Sequence, residues 1–186
     1  MSLTLRRLPL AAGALAVYHH AVIYFFSRET RIGLVGAAAT AGVLYIASRP
    51  PISQSQRFHR FADGRRWCCG VPNSSDVLSN GAFLLALVPC RSVEAFETHE
   101  LCELRAHFTA YAGVSAVALG SAYYHLRPDD SRLAWDRMPM TIAFTSLLSI
   151  ALSDTIGPEV GCTSLGPFVL AGVGTVVYWM RTGDLR

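Results

Sequence analysis

The sequence predicts an all-α membrane protein, a polytopic bundle of about six transmembrane helices. Three observations carry this expectation. The chain of 186 residues is 52% hydrophobic and only 16% charged, where a soluble domain carries about 25% charge. Its mean hydropathy is +0.34. The apolar residues are also clustered, as uncharged runs divided by short Arg-bearing loops.

Crossing about 30 Å of hydrocarbon takes about 20 apolar residues, and six segments approach that length. The first, Leu8–Phe26, follows Arg6-Arg7 and precedes Ser27-Arg28-Glu29. His19-His20 and Tyr24-Phe25-Phe26 replace the small residues of a signal-peptide cleavage site, so the segment reads as a retained span or signal anchor. The second, Ile32–Ser48, is rich in Gly and Ala and stops at Arg49-Pro50-Pro51. Together they form an N-terminal helical hairpin, residues 1–48. A polar link, residues 49–75, follows; its Pro-Pro, Asp-Gly and Val-Pro-Asn signals mark turns.

Residues 76–186 form the predicted membrane core. The third span, Asp76–Cys90, opens with Asp76, Ser79 and Asn80. The link that follows carries Glu94, Glu97, Glu100 and Glu103 at every third position, which reads as a solvated helical face. The fourth span is Ala106–Leu126, the fifth Met138–Ser153 and the sixth Val160–Met180.

Charge and cysteine content exclude some classes. All 16 basic residues are Arg, and the net charge is +3. They are spread over loops, without the concentrated basic face of a nucleic-acid binder. The five cysteines include no CxxC pair; they read as small side chains in spans and loops, not as a disulfide framework. Counting Arg by side, twelve fall on the side of the N-terminus, the 49–75 link, the 127–137 link and the tail, against four on the other. Both termini are therefore expected in the cytoplasm.

This assignment brings the polar residues of the core to one level. Ser121 and His125, four apart on a helix, share a face with Cβ atoms about 5–6 Å apart. Asp136 is expected after a short polar turn, just ahead of the fifth span. Asp76, Ser79 and Asn80 open the third span on the same side and are candidates for a supporting role. Hydroxyl, imidazole and carboxylate are costly at a membrane unless paired, and so mark a candidate site. Imidazole is a common zinc ligand. A nearby carboxylate can orient it or take a proton from a metal-bound water, and a hydroxyl can donate to a developing oxyanion. The plainer alternative leaves His125 in an interfacial aromatic belt with Tyr123 and Tyr124, bonded to Asp136 across the turn.

Gly120-Ser121-x-x-x-His125 followed by Asp136-Arg137-Met138-Pro139-Met140 resembles the signature of the alkaline ceramidases and the wider CREST superfamily of membrane metal hydrolases. Asn73-Ser74-Ser75-Asp76-Val77-Leu78-Ser79-Asn80-x-x-Phe83-Leu84 resembles the Ser-Asn opening of that family's first core span. Phe61-Ala62-Asp63-x-Arg65 is similar to a segment of bacterial members, and the likeness extends over roughly residues 58–182. The resemblance implies a seven-helix core binding zinc through three His, with His125 as one metal ligand. It also implies Asp136 beside the zinc-bound water and Ser121 as the catalytic hydroxyl. The implied reaction is hydrolysis of a ceramide-like lipid amide, in an endoplasmic reticulum or Golgi membrane.

The sequence departs from this pattern. It has no H-x-x-x-H pair and no His after His125, so two of the implied zinc ligands are missing. His19, His20, His59, His99 and His107 are poorly placed to replace them. Trp67-Cys68-Cys69-Gly70 does not reproduce the family's acidic calcium cluster, and calcium is not carried over. The expectation is a C-terminally truncated, inactive hydrolase, or else a non-catalytic membrane scaffold that binds lipid or a partner helix. A transporter is less well supported, because the polar groups gather at one face instead of forming a continuous path.

Overall fold

The structure, a computed structural model, describes residues 25–61, 66–87 and 101–186, with Cys102 described only by its place in a helix. The proposed span Leu8–Phe26 lies outside the described residues except for Phe25 and Phe26, and most of the four-Glu link lies outside them as well. The described residues are all-α: they contain no strand, only one isolated antiparallel bridge, Ser53 to Asp184. The chain divides into two compact units, residues 1–46 and 47–186.

In the first unit, α1 (Arg28–Ala47) starts four residues earlier than the sequence suggests. Ser27 explains this by capping: its Oγ accepts from the Thr30 N–H at 3.3 Å and its carbonyl from the Arg31 N–H at 3.0 Å. None of the residues of α1 is buried.

The second unit is built on α3 (Leu101–Leu126), α4 (Asp130–Thr155) and α5 (Pro158–Thr182), preceded by the short α2 (Ser74–Ser79). Its two connections, residues 127–129 and 156–157, are short enough to make neighbouring helices antiparallel. Arg127-Pro128 ends α3, because the residue before a proline is steered away from helical geometry. Asp129 then caps α4, its Oδ1 accepting the Arg132 N–H at 2.8 Å. Gly157, at φ 146°, and Pro158 at the first turn separate α4 from α5. Gly183, at φ 71°, closes α5 with its N–H on the Trp179 carbonyl at 2.7 Å.

Two expectations need correction. The expected fifth span, Met138–Ser153, begins eight residues too late, because the Asp129 cap starts α4 at Asp130. Asp136 therefore lies inside the helix rather than ahead of it. The expected third span, Asp76–Cys90, is not one helix in its described part: after α2 the chain tightens into a 3-10 turn over Asn80–Ala86. The cause is local competition for the Asp76 carbonyl. It accepts Asn80 Nδ2 at 2.7 Å and Ser79 Oγ at 3.1 Å in place of a backbone donor.

Among the described residues, two helices are long and apolar enough to cross a membrane, α1 at mean hydropathy 1.4 and α5 at 1.7. Helices α3 and α4 have the length, 26 residues each, without meeting the same apolarity. Cys162, early in α5, is disulfide-bonded, contrary to its reading as a simple small side chain; an odd cysteine count without a spacing motif conceals it.

The interior of the second unit is made of small residues. Ser115, Ser121, Ser146, Ser149, Ala110, Ala118 and Ala143 are buried, while Leu119 and Leu170 are 73% exposed and Phe144 is 64% exposed. Glycines let the backbones meet. A Cβ at Gly113 would stand 2.9 Å from the Ala143 nitrogen, and one at Gly120 2.2 Å from the Trp135 carbonyl oxygen. Pro139, one turn beyond Trp135, lacks the N–H that this carbonyl would otherwise accept. Between α4 and α5, Ser149 Oγ donates to the Gly161 carbonyl at 2.5 Å. One larger apolar cluster, Tyr124, Leu133, Ala134, Val176 and Trp179, closes the end where the short segments gather.

At that end the tail is tied to the start of the polar link. The Leu185 N–H donates to the Ile52 carbonyl at 2.9 Å, and Arg186 Nη1 to the Arg49 carbonyl at 2.8 Å. Asp184 accepts from the Ile52 N–H, the Arg186 N–H, Arg186 Nε and the Tyr178 hydroxyl. Burial alone would raise its carboxyl, but the Arg186 N–H and guanidinium, the Ile52 N–H and the Tyr178 hydroxyl outweigh that and hold it at about 2, against 3.8 for an ordinary Asp.

Two outcomes follow from this packing. Gly120→Ala should lower stability in detergent by about 1–3 kcal/mol, since only backbone can yield. Gly174→Ala, with nothing within 4 Å, should be neutral or slightly stabilising by up to about 1 kcal/mol; thermal unfolding of the two variants checks both. Because the Asp184 carboxyl is depressed, its contribution is complete above pH 3.8 and is lost as pH falls through about 2. Wild type should thus melt above Asp184→Asn near neutral pH, with the two melting curves converging toward pH 2.

Candidate functional site

The candidate residues lie around the last turn of α3. Gly120 against the Trp135 carbonyl sets the register of α3 on α4, so Ser121 and Asp136 flank the same contact on the two helices. His125 is one turn nearer the end of α3. Asn73, the residue before α2, has left-handed backbone (φ 48°) and donates from Nδ2 to the His125 carbonyl at 2.7 Å. That bond satisfies one of the orphan carbonyls at the C-terminus of α3 and ties the start of α2 to it. Elements bearing all six predicted residues therefore meet at one end of the unit.

The side chains are less united than the elements. Ser121 and Asn80 are buried, His125, Asp136 and Asp76 half-buried, and Ser79 exposed. Ser79 and Asn80 spend their bonds on the Asp76 carbonyl and point to a local role. The Nδ1 of His125 is buried and has no hydrogen-bond partner, so no bond to Asp136 fixes the ring through that nitrogen. What holds the imidazole instead is aromatic contact, with the Phe61 ring centroid 4.6 Å away and tilted by 39°.

The connected polar group at this end is one the sequence reading missed. His59, set aside there as a poor metal ligand, shares a 3.0 Å hydrogen bond between Nδ1 and the Tyr124 hydroxyl. Its Nε2 lies 3.0 Å from Asp130 Oδ1, and Gln56 Nε2 donates to Asp130 Oδ2 at 2.8 Å. Tyr124 is almost fully buried at 2% exposure, so its hydroxyl needs such a partner. Ser55 caps the turn Gln56–His59, which presents Gln56 and His59 toward Asp130. The signal available in the sequence was Ser55-x-x-x-His59 beside Pro128-Asp129-Asp130, two capping patterns in segments already assigned to one side.

Arginines add cross-links. The Arg132 guanidinium lies 4.5 Å from the Tyr123 ring centroid, and that of Arg137 lies 4.3 Å from the Trp179 ring centroid. Arg137 Nη2 also donates to Gln54 Oε1 at 2.9 Å.

Zinc needs three or four protein donors around one point. No group of three or more His, Cys, Asp or Glu able to hold a metal occurs among the described residues. His125 Nδ1 is a single free nitrogen, and both nitrogens of His59 are engaged. The described residues do not fit the implied zinc. Comparison with protein-family models, curated proteins and solved structures finds no match to this chain.

Tyr124→Phe should cost about 1–3 kcal/mol, because it leaves the part-buried His59 Nδ1 without its partner. Ser79→Ala, on the exposed face, should stay within about 0.5 kcal/mol. Denaturation in detergent compares the two; equal effects would show that the His59 network is not what holds this end.

Proposed function

We propose that this chain is an integral, multi-pass membrane protein on the ceramidase-like helical plan, which binds a ceramide-like lipid at its His125 end and does not itself hold the metal needed to cleave it. The observation that carries the membrane part is the distribution of side chains. Large apolar residues of the second unit point outward, while Ser, Ala and Gly fill the contacts between helices. Water disfavours that surface. Lipid favours it, because helix association in a bilayer relies on close packing of small residues and not on burying Leu and Phe. In this reading α1, α3, α4 and α5 cross the bilayer with the segments Leu8–Phe26 and Asp76–Cys90.

The orientation places the Arg-rich end in the cytoplasm. Cysteine state supports the same side assignment: Cys68 and Cys69, in the turn just ahead of α2, are free, while Cys162, far along α5 from the tail, is disulfide-bonded. Disulfides persist in oxidising compartments and are rare in the cytosol. An endoplasmic reticulum or Golgi membrane satisfies both.

The second reading, a zinc-dependent lipid amide hydrolase, has the buried and unpartnered Nδ1 of His125 in its favour. It also has Ser121 one turn below. It requires donors beyond the described residues.

Expressed in full, the protein should stay in the membrane pellet through an alkaline carbonate wash. Purified, it should bind a fluorescent ceramide without releasing its acyl chain and should carry little zinc. Release into the supernatant would overturn the membrane reading. One zinc per chain, lost in His125→Ala together with ceramide cleavage, would put the hydrolase first.

A further inference from the structure

A groove runs between α4 and α5, and Ser121 is not among the residues that line it. It encloses about 240 Å³. Met140 and Phe144 form one wall, Val176 and Trp179 the other, and Leu185 of the tail closes an end. Thr141 and Thr175 also line it, but their hydroxyls are bonded to the Met138 and Gly172 carbonyls of their own helices. The walls are thus apolar in effect.

The mouth of the groove is charged. Asp184 and Arg186 neutralise one another there, with Nε to Oδ2 at 2.6 Å. Arg137 is different: its direct partners are neutral, the Gln54 amide oxygen and the Trp179 ring. Asp136 and Asp130 act on it through space, yet among the described residues it forms no ion pair within 4 Å. A guanidinium has five donors in a planar fork, so most of the donors of Arg137 remain for another acceptor. It stands about 10 Å along α4 from Asp130, over the buried Trp179 ring.

We propose that this groove binds an anionic phospholipid, its phosphate on Arg137 and part of one acyl chain lying between Met140, Phe144 and Val176. Arg–phosphate pairing is charge-assisted and can be bidentate. The volume is below that of a drug-sized pocket, which suits a chain segment and excludes a whole lipid. The proposal rests on the membrane reading above but concerns a second site, with a different lipid from the one assigned to the His125 end.

Trp179 reports on it directly. The chain has three Trp, and a Trp67→Phe/Trp135→Phe variant, altering two exposed rings, leaves Trp179 alone. This full-length variant is reconstituted in phosphatidylcholine vesicles. Brominated-chain phosphatidylglycerol or brominated-chain phosphatidylcholine is then added in increasing fractions, and Trp179 quenching is followed. The phosphatidylglycerol should quench at an about five-fold lower fraction, the advantage of one basic residue at an anionic surface. Arg137→Gln should abolish that preference, and Arg137→Lys should retain part of it. Equal quenching by the two lipids, or a preference unchanged in Arg137→Gln, overturns the proposal and leaves the membrane reading standing. So does a protein that floats with the vesicles while neither lipid quenches Trp179. A protein that does not float with the vesicles overturns the membrane reading as well.

Discussion

The contact on which this architecture depends is the meeting of Gly120 with the Trp135 carbonyl. Pro139 removes the donor that would occupy that carbonyl within α4, and glycine at position 120 removes the side chain that would hold α3 away from it. Either residue alone would be a weakness in a helix. Together they bring two backbones to a distance that no other residue at position 120 permits. The same device recurs at Gly113 with Ala143 and at Gly172 with Thr141 and Thr145, so the whole of α4 is gripped on both sides through small residues. The large apolar side chains are consequently directed outward. That makes the surface as demanding as the core, and it is why the solvent of this protein enters its structural logic.

Much of this was legible in the sequence. The spans Ala106–Leu126 and Val160–Met180 were read from their apolar runs, and the structure ends α3 at Leu126 and runs α5 from Pro158 to Thr182, two residues beyond the expected span at each end. What failed was the start of α4. Asp129 and Asp130 read as a polar turn by composition, yet an Asp ahead of a helix is a cap, and its side chain extends α4 back through Asp136. The third span failed for a related reason. A run of apolar residues after Asn80 gives the period of a helix, but the side chains of Ser79 and Asn80 take the Asp76 carbonyl and spoil the first turns. In both places short polar side chains competed with the backbone, an effect that hydropathy does not register.

The candidate site divides along the same line. Sequence spacing put Ser121 and His125 one turn apart near the end of α3, but it put Asp136 ahead of the next helix, where the structure has it inside α4. It could not say which histidine would be satisfied. His59 sits on a turn whose direction depends on the Ser55 cap and on contacts with residues about seventy positions away, so nothing local reveals that it holds Tyr124 and Asp130. His125 had the motif, yet it is His125 whose Nδ1 is left alone. A buried, unpaired imidazole nitrogen is costly, and such costs tend to persist where a further group completes them.

The arginines show how one set of residues can serve two physical ends. Arg counting asks only on which side they fall, but Arg132, Arg137 and Arg186 are each engaged, by Tyr123, by Trp179 and Gln54, and by Asp184 and the Arg49 carbonyl. With the bonds of His59 and Gln56 to Asp130, these contacts stitch segments 49–61, 127–137 and 183–186 into one polar layer across the end of the second unit. An Arg in such a layer keeps its long apolar stem against the helices and its charged head at the rim. Engagement is also unequal. Arg186 meets a carboxylate, whereas Arg137 meets an amide and a ring, so among the described residues its guanidinium has no ion-pair partner.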